Sequence, residues 1–262
     1  MNEEKLVEKV VQELMKKTGG GAVETAAAPE AARCCGLTEF VGTAIGNTIG
    51  LVIANVDETL HEKMGLDPKF RSIGILSARV GAGPQIFAAD EAVKATNTEI
   101  LTIQLPRDTE GGAGHGSLII FGAEEVSDAR RAIEVALGDL ERTFGDVYAN
   151  PAGHLEFQYT ARASLALQKA FGAPLGKAFG ITVGAPAGIG VMMADTAVKS
   201  ATVDVVGYAN PAEGTSHSNE VILFVSGDSG AVRQAIIAAR DVGKQLLEVL
   251  GGPAPSLTRP YI

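Results

Sequence analysis

Residues 89–94 read Ala-Asp-Glu-Ala-Val-Lys and residues 194–199 read Ala-Asp-Thr-Ala-Val-Lys, so five of six positions recur after 105 residues. Upstream of this motif, residues 70–75 align with residues 176–181 at a displacement of 106. The chain has 262 residues, which is enough for two domains of ordinary size. A repeat at this distance therefore predicts two tandem copies of one domain.

The match continues downstream of the motif at a slightly smaller displacement. At 103 residues, Ile119, Phe121, Arg130, Ala132, Ile133 and Ala136 correspond to Ile222, Phe224, Arg233, Ala235, Ile236 and Ala239. The pair Glu39-Phe40 reappears as Glu156-Phe157. Small changes in displacement are expected where one copy carries a loop insertion. We therefore predict the first copy at residues 37–150 and the second at residues 151–262.

Each copy shows the same order of predicted elements. A leading strand is followed by a short helix, a second strand, a helix, two β-rich runs and a longer amphipathic helix. The leading strand, second strand and two main helices are predicted at 49–55, 73–78, 85–95 and 126–143, and again at 156–161, 179–185, 189–200 and 230–250. Polar, glycine-rich loops at 106–116 and 210–219 separate the two β-rich runs. This alternation predicts the α/β class, with sheets covered by helices.

The N-terminal segment has a different pattern. Residues 1–17 are predicted to form an amphipathic helix whose apolar stripe includes Leu6, Val7, Val10 and Leu14. Residues 18–36, rich in glycine and alanine, are predicted to be a flexible linker. Two interpretations of the stripe remain open, because the helix can pack on its own domain or dock into a groove on a partner.

Composition and charge argue against several classes of function. The formal net charge is −9 and no basic stripe is present, which argues against nucleic-acid binding. We see neither a secretory signal nor an apolar run of about 20 residues. The adjacent Cys34 and Cys35 are too few for a four-ligand zinc site and cannot join distant elements by a disulfide. We therefore expect a cytoplasmic protein without a membrane partner.

Three patterns associated with enzymes have simpler structural interpretations. Residues 227–230 read Gly-Asp-Ser-Gly, as around a trypsin-like nucleophile, but we interpret Ser229 as the N-cap of a long helix with Asp228 beside it. The glycine-rich turns at 81–84 and 184–190 lack the spacing of a nucleotide-binding loop. None of the four histidines has a histidine partner four residues away. The sequence therefore predicts no catalytic residue, cofactor or metal.

The second copy carries the stretches that resemble a known family. Residues 198–208 read Val-Lys-Ser-Ala-Thr-Val-Asp-Val-Val-Gly-Tyr, and residues 226–233 read Ser-Gly-Asp-Ser-Gly-Ala-Val-Arg. Both resemble signature stretches of the bacterial microcompartment shell domain, and the resemblance covers nearly all of residues 37–262. The strand and helix that normally end this domain precede its core in each copy. That order is similar to the circularly permuted tandem class, which includes the B-type shell proteins of propanediol utilisation and their ethanol- and ethanolamine-utilisation relatives.

The resemblance implies a structural shell protein rather than an enzyme. It implies a homotrimer that forms a pseudo-hexagonal tile, assembles with other shell proteins around encapsulated enzymes, and lets small polar metabolites such as diols, alcohols or aldehydes pass through pores. Lys94 and Lys199 would lie at tile edges. Separately, the apolar stripe on a linker predicts that the N-terminal helix attaches encapsulated enzymes. The loops at the pores would contribute Gly112, Ala113, Gly114, His115, Gly116, Glu213, Gly214, Thr215 and Ser216.

Alternatives of other classes remain at this point. The same tandem fold could serve a sensor or carrier of small molecules, or an enzyme with a site between the two halves. His115 and His217 occupy equivalent loops, and around a three-fold axis each would form a ring of imidazoles able to bind metal or titrate near neutral pH. Exposed loop histidines are the alternative interpretation.

Overall fold

Two five-stranded antiparallel sheets organise the chain in a computed structural model of the protein. The structure describes residues 36–106 and 116–262. The predicted N-terminal helix with Leu6, Val7, Val10 and Leu14 lies outside the described residues, as does the predicted linker apart from Gly36.

The two sheets have the same strand order and the same helices. The first contains β1 (Phe40–Ala44), β2 (Thr48–Ile53), β3 (Ser72–Ala78), β4 (Glu99–Gln104) and β5 (Ser117–Ala123), in the order β1-β2-β3-β5-β4. The second contains β6 (Val147–Asn150), β7 (Gly153–Thr160), β8 (Ala178–Ala185), β9 (Asp204–Ala209) and β10 (Val221–Gly227), in the order β6-β7-β8-β10-β9. The helices are α1 (Glu58–Lys63), α2 (Gly83–Ala95), α3 (Val126–Thr143), α4 (Leu165–Phe171), α5 (Ala187–Ser200) and α6 (Ser229–Gly251). The predicted tandem α/β copies are confirmed.

Glycines let the long helix of each copy approach its sheet. A Cβ atom on Gly74 of β3 would lie 2.9 Å from the Ile133 side chain of α3. A Cβ atom on Gly180 of β8 would lie 2.8 Å from the Ile236 side chain of α6. The helices therefore pack at equivalent places, and the predicted displacement of 103 residues holds for them. We call the sheet face that carries the long helix the inner face and the opposite one the outer face.

The strands that directly precede these helices, β5 and β10, correspond to each other at a different displacement. Ile75 of β3 pairs with Ile120, whereas the equivalent Ile181 of β8 pairs with Phe224. Phe224 is therefore the counterpart of Ile120, and β5 corresponds to β10 at a displacement of 104 residues. A shift of one residue moves a strand side chain to the opposite face of the sheet. The predicted matches of Ile119 with Ile222 and of Phe121 with Phe224 are therefore wrong.

The first strand of each sheet was not predicted from the sequence. β1 pairs with β2, and β6 pairs with β7. The predicted border after Asn150 thus falls inside the β6–β7 hairpin, and the strand pairing assigns β6 to the second copy. The match of Glu39-Phe40 with Glu156-Phe157 is wrong, because Phe40 lies in β1 whereas Phe157 lies in β7, the counterpart of β2.

Helix α2 is buried between the two copies. On one side it packs with α3 in the core of the first copy. On the other side its Phe87 ring stacks on Phe179 of β8, with the ring centroids 6.3 Å apart. Ile181 and Val183 of the second sheet belong to the same apolar cluster as Ile86 of α2. The outer face of the second sheet is therefore covered by the first copy of the same chain.

Candidate functional site

A carboxylate of the first copy caps a helix of the second. Asp90 of α2 is 1% exposed and accepts hydrogen bonds from the backbone N–H of Ser164 at 3.0 Å and of Leu167 at 3.2 Å, at the start of α4. Ser164 itself makes no side-chain cap. Burial raises the pKa of the Asp90 carboxyl group, and the adjacent Lys94 and these N–H donors oppose the shift. Asp90 thus fixes the position of α4 at the junction between the copies.

The two predicted edge lysines have different surroundings. The Nζ atom of Lys94 lies 2.9 Å from Asp90 and 2.8 Å from Glu91, and its side chain is 25% exposed. The Nζ atom of Lys199 lies 2.8 Å from Asp195, and its side chain is 72% exposed. Lys94 therefore neutralises a buried carboxylate, whereas Lys199 belongs to a solvated surface pair that contributes little to stability.

The apolar surface that α2 buries has an exposed counterpart on α5. Ile86 and Phe87 are 0% and 1% exposed, and at the displacement of 105 their counterparts are Val191 and Met192. Val191 and Met192 are 48% and 49% exposed. Large apolar side chains that repeat a buried contact and remain exposed indicate a surface that a further molecule covers.

The other half of the same contact is also uncovered. Helix α4 buries Ala166 and Leu167 and contacts β4 of the first copy. Its counterpart α1 contains no buried residue, and Leu60 on α1 is exposed. Among the exposed apolar side chains are also Val205 and Tyr208 of β9, the counterpart of β4. One chain therefore exposes the counterparts of both surfaces that meet in its internal junction: the face of α5, and the surface of α1 and β9.

The loop at 210–219 is held by its own hydrogen bonds. The Asn210 side chain accepts from the backbone N–H of Ala212 at 2.9 Å and of Glu213 at 3.1 Å. Of the predicted pore residues in this loop, Glu213, Gly214 and Ser216 are exposed. Thr215 is fully buried and its hydroxyl donates to the Ser218 carbonyl oxygen at 3.1 Å, so its side chain turns away from the solvent.

The loop at 106–116 is described only at its ends. Gly116 is buried, and its backbone N–H donates to the Pro106 carbonyl oxygen at 2.9 Å, which closes the base of the loop. A Cβ atom on Gly116 would lie 2.6 Å from the Ala78 carbonyl oxygen. This residue thus has a structural role at the loop base, while the predicted pore residues Gly112, Ala113, Gly114 and His115 lie outside the described residues.

The Gly-Asp-Ser-Gly segment is a helix start, although its capping residue was predicted incorrectly. Asp228 is the N-cap of α6 and accepts from the backbone N–H of Gly230 at 2.9 Å, whereas Ser229 is the first helical residue. The Ser229 hydroxyl lies 2.7 Å from the hydroxyl of Tyr159. The interpretation of this segment as a helix terminus is confirmed, with Asp228 in place of Ser229 as the cap.

A cluster of ionisable side chains that was not predicted from the sequence lies at the junction. His154 and Glu156 alternate along β7 on its outer face, and Glu220 directly precedes β10. The Nε2 atom of His154 lies 3.6 Å from an Oε atom of Glu220, and these residues are 8% and 2% exposed. The alternation of these polar residues with the core residues Leu155 and Phe157 is the signal that could have identified them.

The described residues contain neither a metal cluster nor a membrane-spanning helix. Within residues 36–106 and 116–262, no three His, Cys, Asp or Glu side chains are arranged to hold a metal ion. None of the helices in those two ranges is long and apolar enough to cross a membrane.

The family follows from both copies. The sequence model of the BMC domain matches residues 72–150 and 178–255, and the chain therefore belongs to the BMC domain family of bacterial microcompartment shell proteins. The matches begin at β3 and β8, so the leading strands and the short helices precede the matched core. This is the permuted order that the resemblance implied.

Individual relatives support the same class. The chain is 68% identical to the bacterial microcompartment shell protein PduB of Citrobacter freundii over 230 residues, which is 88% of this chain and 85% of that protein. It is 55% identical to PduB of Limosilactobacillus reuteri over 214 residues, which is 81% of this chain and 90% of the relative. The shell protein EutL of Escherichia coli is 29% identical over 213 residues, which is 77% of this chain and 91% of EutL.

Solved structures agree with the fold. A crystal structure of a trimeric PduB shell protein has a TM-score of 0.83 and 52% identity, covering 86% of this chain and 100% of that chain. The structure of EtuB from Clostridium kluyveri has a TM-score of 0.83 and 58% identity, covering 86% and 99%. EutL from Clostridium perfringens, at 19% identity and a TM-score of 0.64 over 76% of this chain and 93% of that one, shares the fold.

Proposed function

We propose that the chain is a structural, non-catalytic subunit that closes into a homotrimeric, pseudo-hexagonal tile of a microcompartment shell. The observation that supports this proposal is the exposed apolar face of α5, whose counterpart on α2 is buried by the second copy. If neighbouring chains repeat the internal junction, the outer face of the first sheet in one chain covers Val191 and Met192 of the next chain. Three chains then form a closed ring of six domains. The related PduB structure is trimeric.

Edge contacts between tiles are proposed at the two repeated lysines. Lys199 is available for such a contact as it stands, because the solvated Asp195 is its ion-pair partner among residues 36–106 and 116–262. Lys94 also neutralises the buried Asp90, so a substitution of Lys94 would affect the fold as well as an edge contact. A substitution of Lys199 is therefore the cleaner test of tiling.

Lys199→Ala is expected to abolish sheets while the trimer persists. The exposed pair with Asp195 contributes only about 0–1 kcal/mol, so the fold should be unaffected. Electron microscopy of purified wild type should show extended sheets, and the variant should show single trimers. Lys177→Ala, at an exposed lysine in the turn before β8, is the matched control and should tile as wild type does.

The outcomes separate the function classes. Wild type that forms discrete oligomers without sheets would support a carrier or sensor and contradict the tile. Sheets formed equally by Lys199→Ala would retain the tile but remove Lys199 from its edge. Lys94→Ala should weaken both tiling and the fold, because it leaves Asp90 without its ammonium partner.

Transport and cargo attachment complete the proposal. The loops at 106–116 and 210–219 would surround the axis of the tile, where polar backbone and the exposed Glu213, Gly214 and Ser216 can hydrogen-bond small metabolites without holding them. The encapsulated enzymes would bind the apolar stripe predicted in residues 1–17.

Removal of residues 1–33 is expected to leave the trimer intact and to reduce the enzyme content of purified shells. The reason is that an amphipathic segment joined by a linker can bind a partner without contributing to the tile. Mass determination of the trimer and quantitative mass spectrometry of shells measure the two effects. Shells with a normal enzyme content would refute the attachment role.

A further inference from the structure

Ionisable groups meet a small cavity at the junction within the chain. The cavity has a volume of about 60 Å³ and lies between the N-terminus of α2 and the outer face of the second sheet. Its polar lining comes from Glu156, Gln158 and Glu220, and the remainder is apolar. A Cβ atom on Gly83 of α2 would lie 3.6 Å from a carboxylate oxygen of Glu156. A change of charge on Glu156 would thus act directly on the contact between the copies.

His154 completes the cluster. Its Nε2 atom is 3.6 Å from Glu220, a separation that suits an ion pair but exceeds hydrogen-bond distance. This buried atom has no hydrogen-bond partner among the described residues. The geometry therefore favours a protonated imidazole that is held electrostatically beside the Glu220 carboxylate.

The surroundings set the direction of each titration. Burial raises the pKa of Glu156, His154 lowers it and Glu220 raises it further. Burial lowers the pKa of His154, but Glu220 and Glu156 outweigh burial and the pKa rises above its ordinary 6.5. The cavity walls from β8, β10 and α4 are apolar, and the N-terminus of α2 contributes only its partial positive charge.

Two charge states follow for the cluster. In the acid state, His154 is protonated and Glu156 is neutral, so one positive charge faces Glu220. In the basic state, His154 is neutral and Glu156 is negatively charged beside Glu220. Since the folded protein binds these protons more tightly than the unfolded chain does, stability is lost as pH rises through the folded pKa values.

We propose that His154, Glu156 and Glu220 form a proton-dependent latch that holds the two copies of one chain together and loosens their junction as the pH rises. In the basic state, repulsion between the carboxylates and their demand for hydration separate α2 from β7 and β10.

The latch is confined to the junction within the chain. In β2, Ile49 and Leu51 occupy the positions that Glu156 and Gln158 occupy in β7, as the strand pairing shows. An apolar pair of this kind does not titrate, so contacts between chains would not respond to the same change in pH. The latch thus goes beyond the shell role and can be tested even if the tile proposal fails.

Hydrogen exchange of the intact oligomer tests the latch. Between about pH 6 and about pH 8.5, after correction for intrinsic exchange, wild-type peptides from the start of α2 and of β10 should lose protection several-fold, because the raised pKa values of His154 and Glu156 make the folded state less stable as the pH rises. Glu156→Gln, which cannot become charged, should lose clearly less protection than wild type, because only the titration of His154 remains. Glu248→Gln, at an exposed glutamate on α6, should behave as wild type.

A spectroscopic measurement follows the histidine itself. With ¹³Cε1-labelled histidine, the NMR signal of His154 should titrate above 6.5, and Glu220→Gln should lower that midpoint. Protection that does not change with pH in wild type overturns the latch. Equal losses in wild type and Glu156→Gln, or a His154 midpoint unaffected by Glu220→Gln, also overturn it.

Discussion

Replacement of Met192 by aspartate is expected to convert the homotrimer into single chains. Met192 is 49% exposed, while its counterpart Phe87 is 1% exposed in the junction that the chain forms internally. A carboxylate placed in the equivalent contact between chains would be buried without a partner, at a cost of about 3–5 kcal/mol. That weakens each contact by more than about 100-fold. Analytical ultracentrifugation at micromolar concentration, with circular dichroism to confirm the fold, measures the effect.

The control places the same charge on another exposed apolar residue. Val249 of α6 is 89% exposed and takes no part in the repeated contact, so Val249→Asp should remain trimeric. If Met192→Asp and the double variant Val191→Asp/Met192→Asp both remain trimeric, the α5 face is not the interface between chains. If Val249→Asp dissociates as well, the oligomer depends on a different surface.

Replacement of Asp146 by alanine is expected to cause the largest loss of stability in a single chain. Asp146 is fully buried between α3 and β6. Its carboxylate accepts from the backbone N–H of Tyr261 at 2.8 Å and of Ile262 at 3.0 Å, and lies 3.3 Å from the Arg240 guanidinium. Alanine leaves the largely buried Arg240 paired with the exposed Asp241 at 3.4 Å in place of the buried Asp146, and it leaves two N–H groups without this acceptor. We expect the free energy of unfolding to fall by about 3–5 kcal/mol.

Urea denaturation at one protein concentration measures this change. The matched control is Glu134→Ala, because Glu134 forms an exposed pair with Arg131 at 3.5 Å on α3. Its loss should reduce the free energy of unfolding by about 0–1 kcal/mol. An Asp146→Ala variant within about 1 kcal/mol of wild type would show that the C-terminal residues around Tyr261 pack independently of this carboxylate.

Features that repeat in the sequence were the most predictable. The two copies and their long helices follow from periodicity and from residues that recur at a nearly constant displacement. The register of the second β-rich run could not be predicted in this way. The turns that join β5 to α3 and β10 to α6 differ by one residue, and identity between Phe121 and Phe224 favoured the wrong alignment.

Properties that depend on neighbours were not predictable from the motif. Lys94 and Lys199 occupy identical motif positions, yet only Lys94 faces a buried carboxylate, because α2 is covered by the second copy and α5 is not. Thr215 lies in a polar loop, but the hydrogen bonds of that loop turn its side chain inward. The strands β1 and β6 have only five and four residues, too few for a clear alternating pattern.

Because two copies are joined on one polypeptide, the chain can add domains to an assembly only in pairs. Any closed ring built by the repeated junction must contain an even number of domains, because every chain contributes two. A closed ring of five domains is therefore inaccessible to this subunit. Alternate positions around the ring also become free to diverge, as the different residues on β2 and β7 already illustrate.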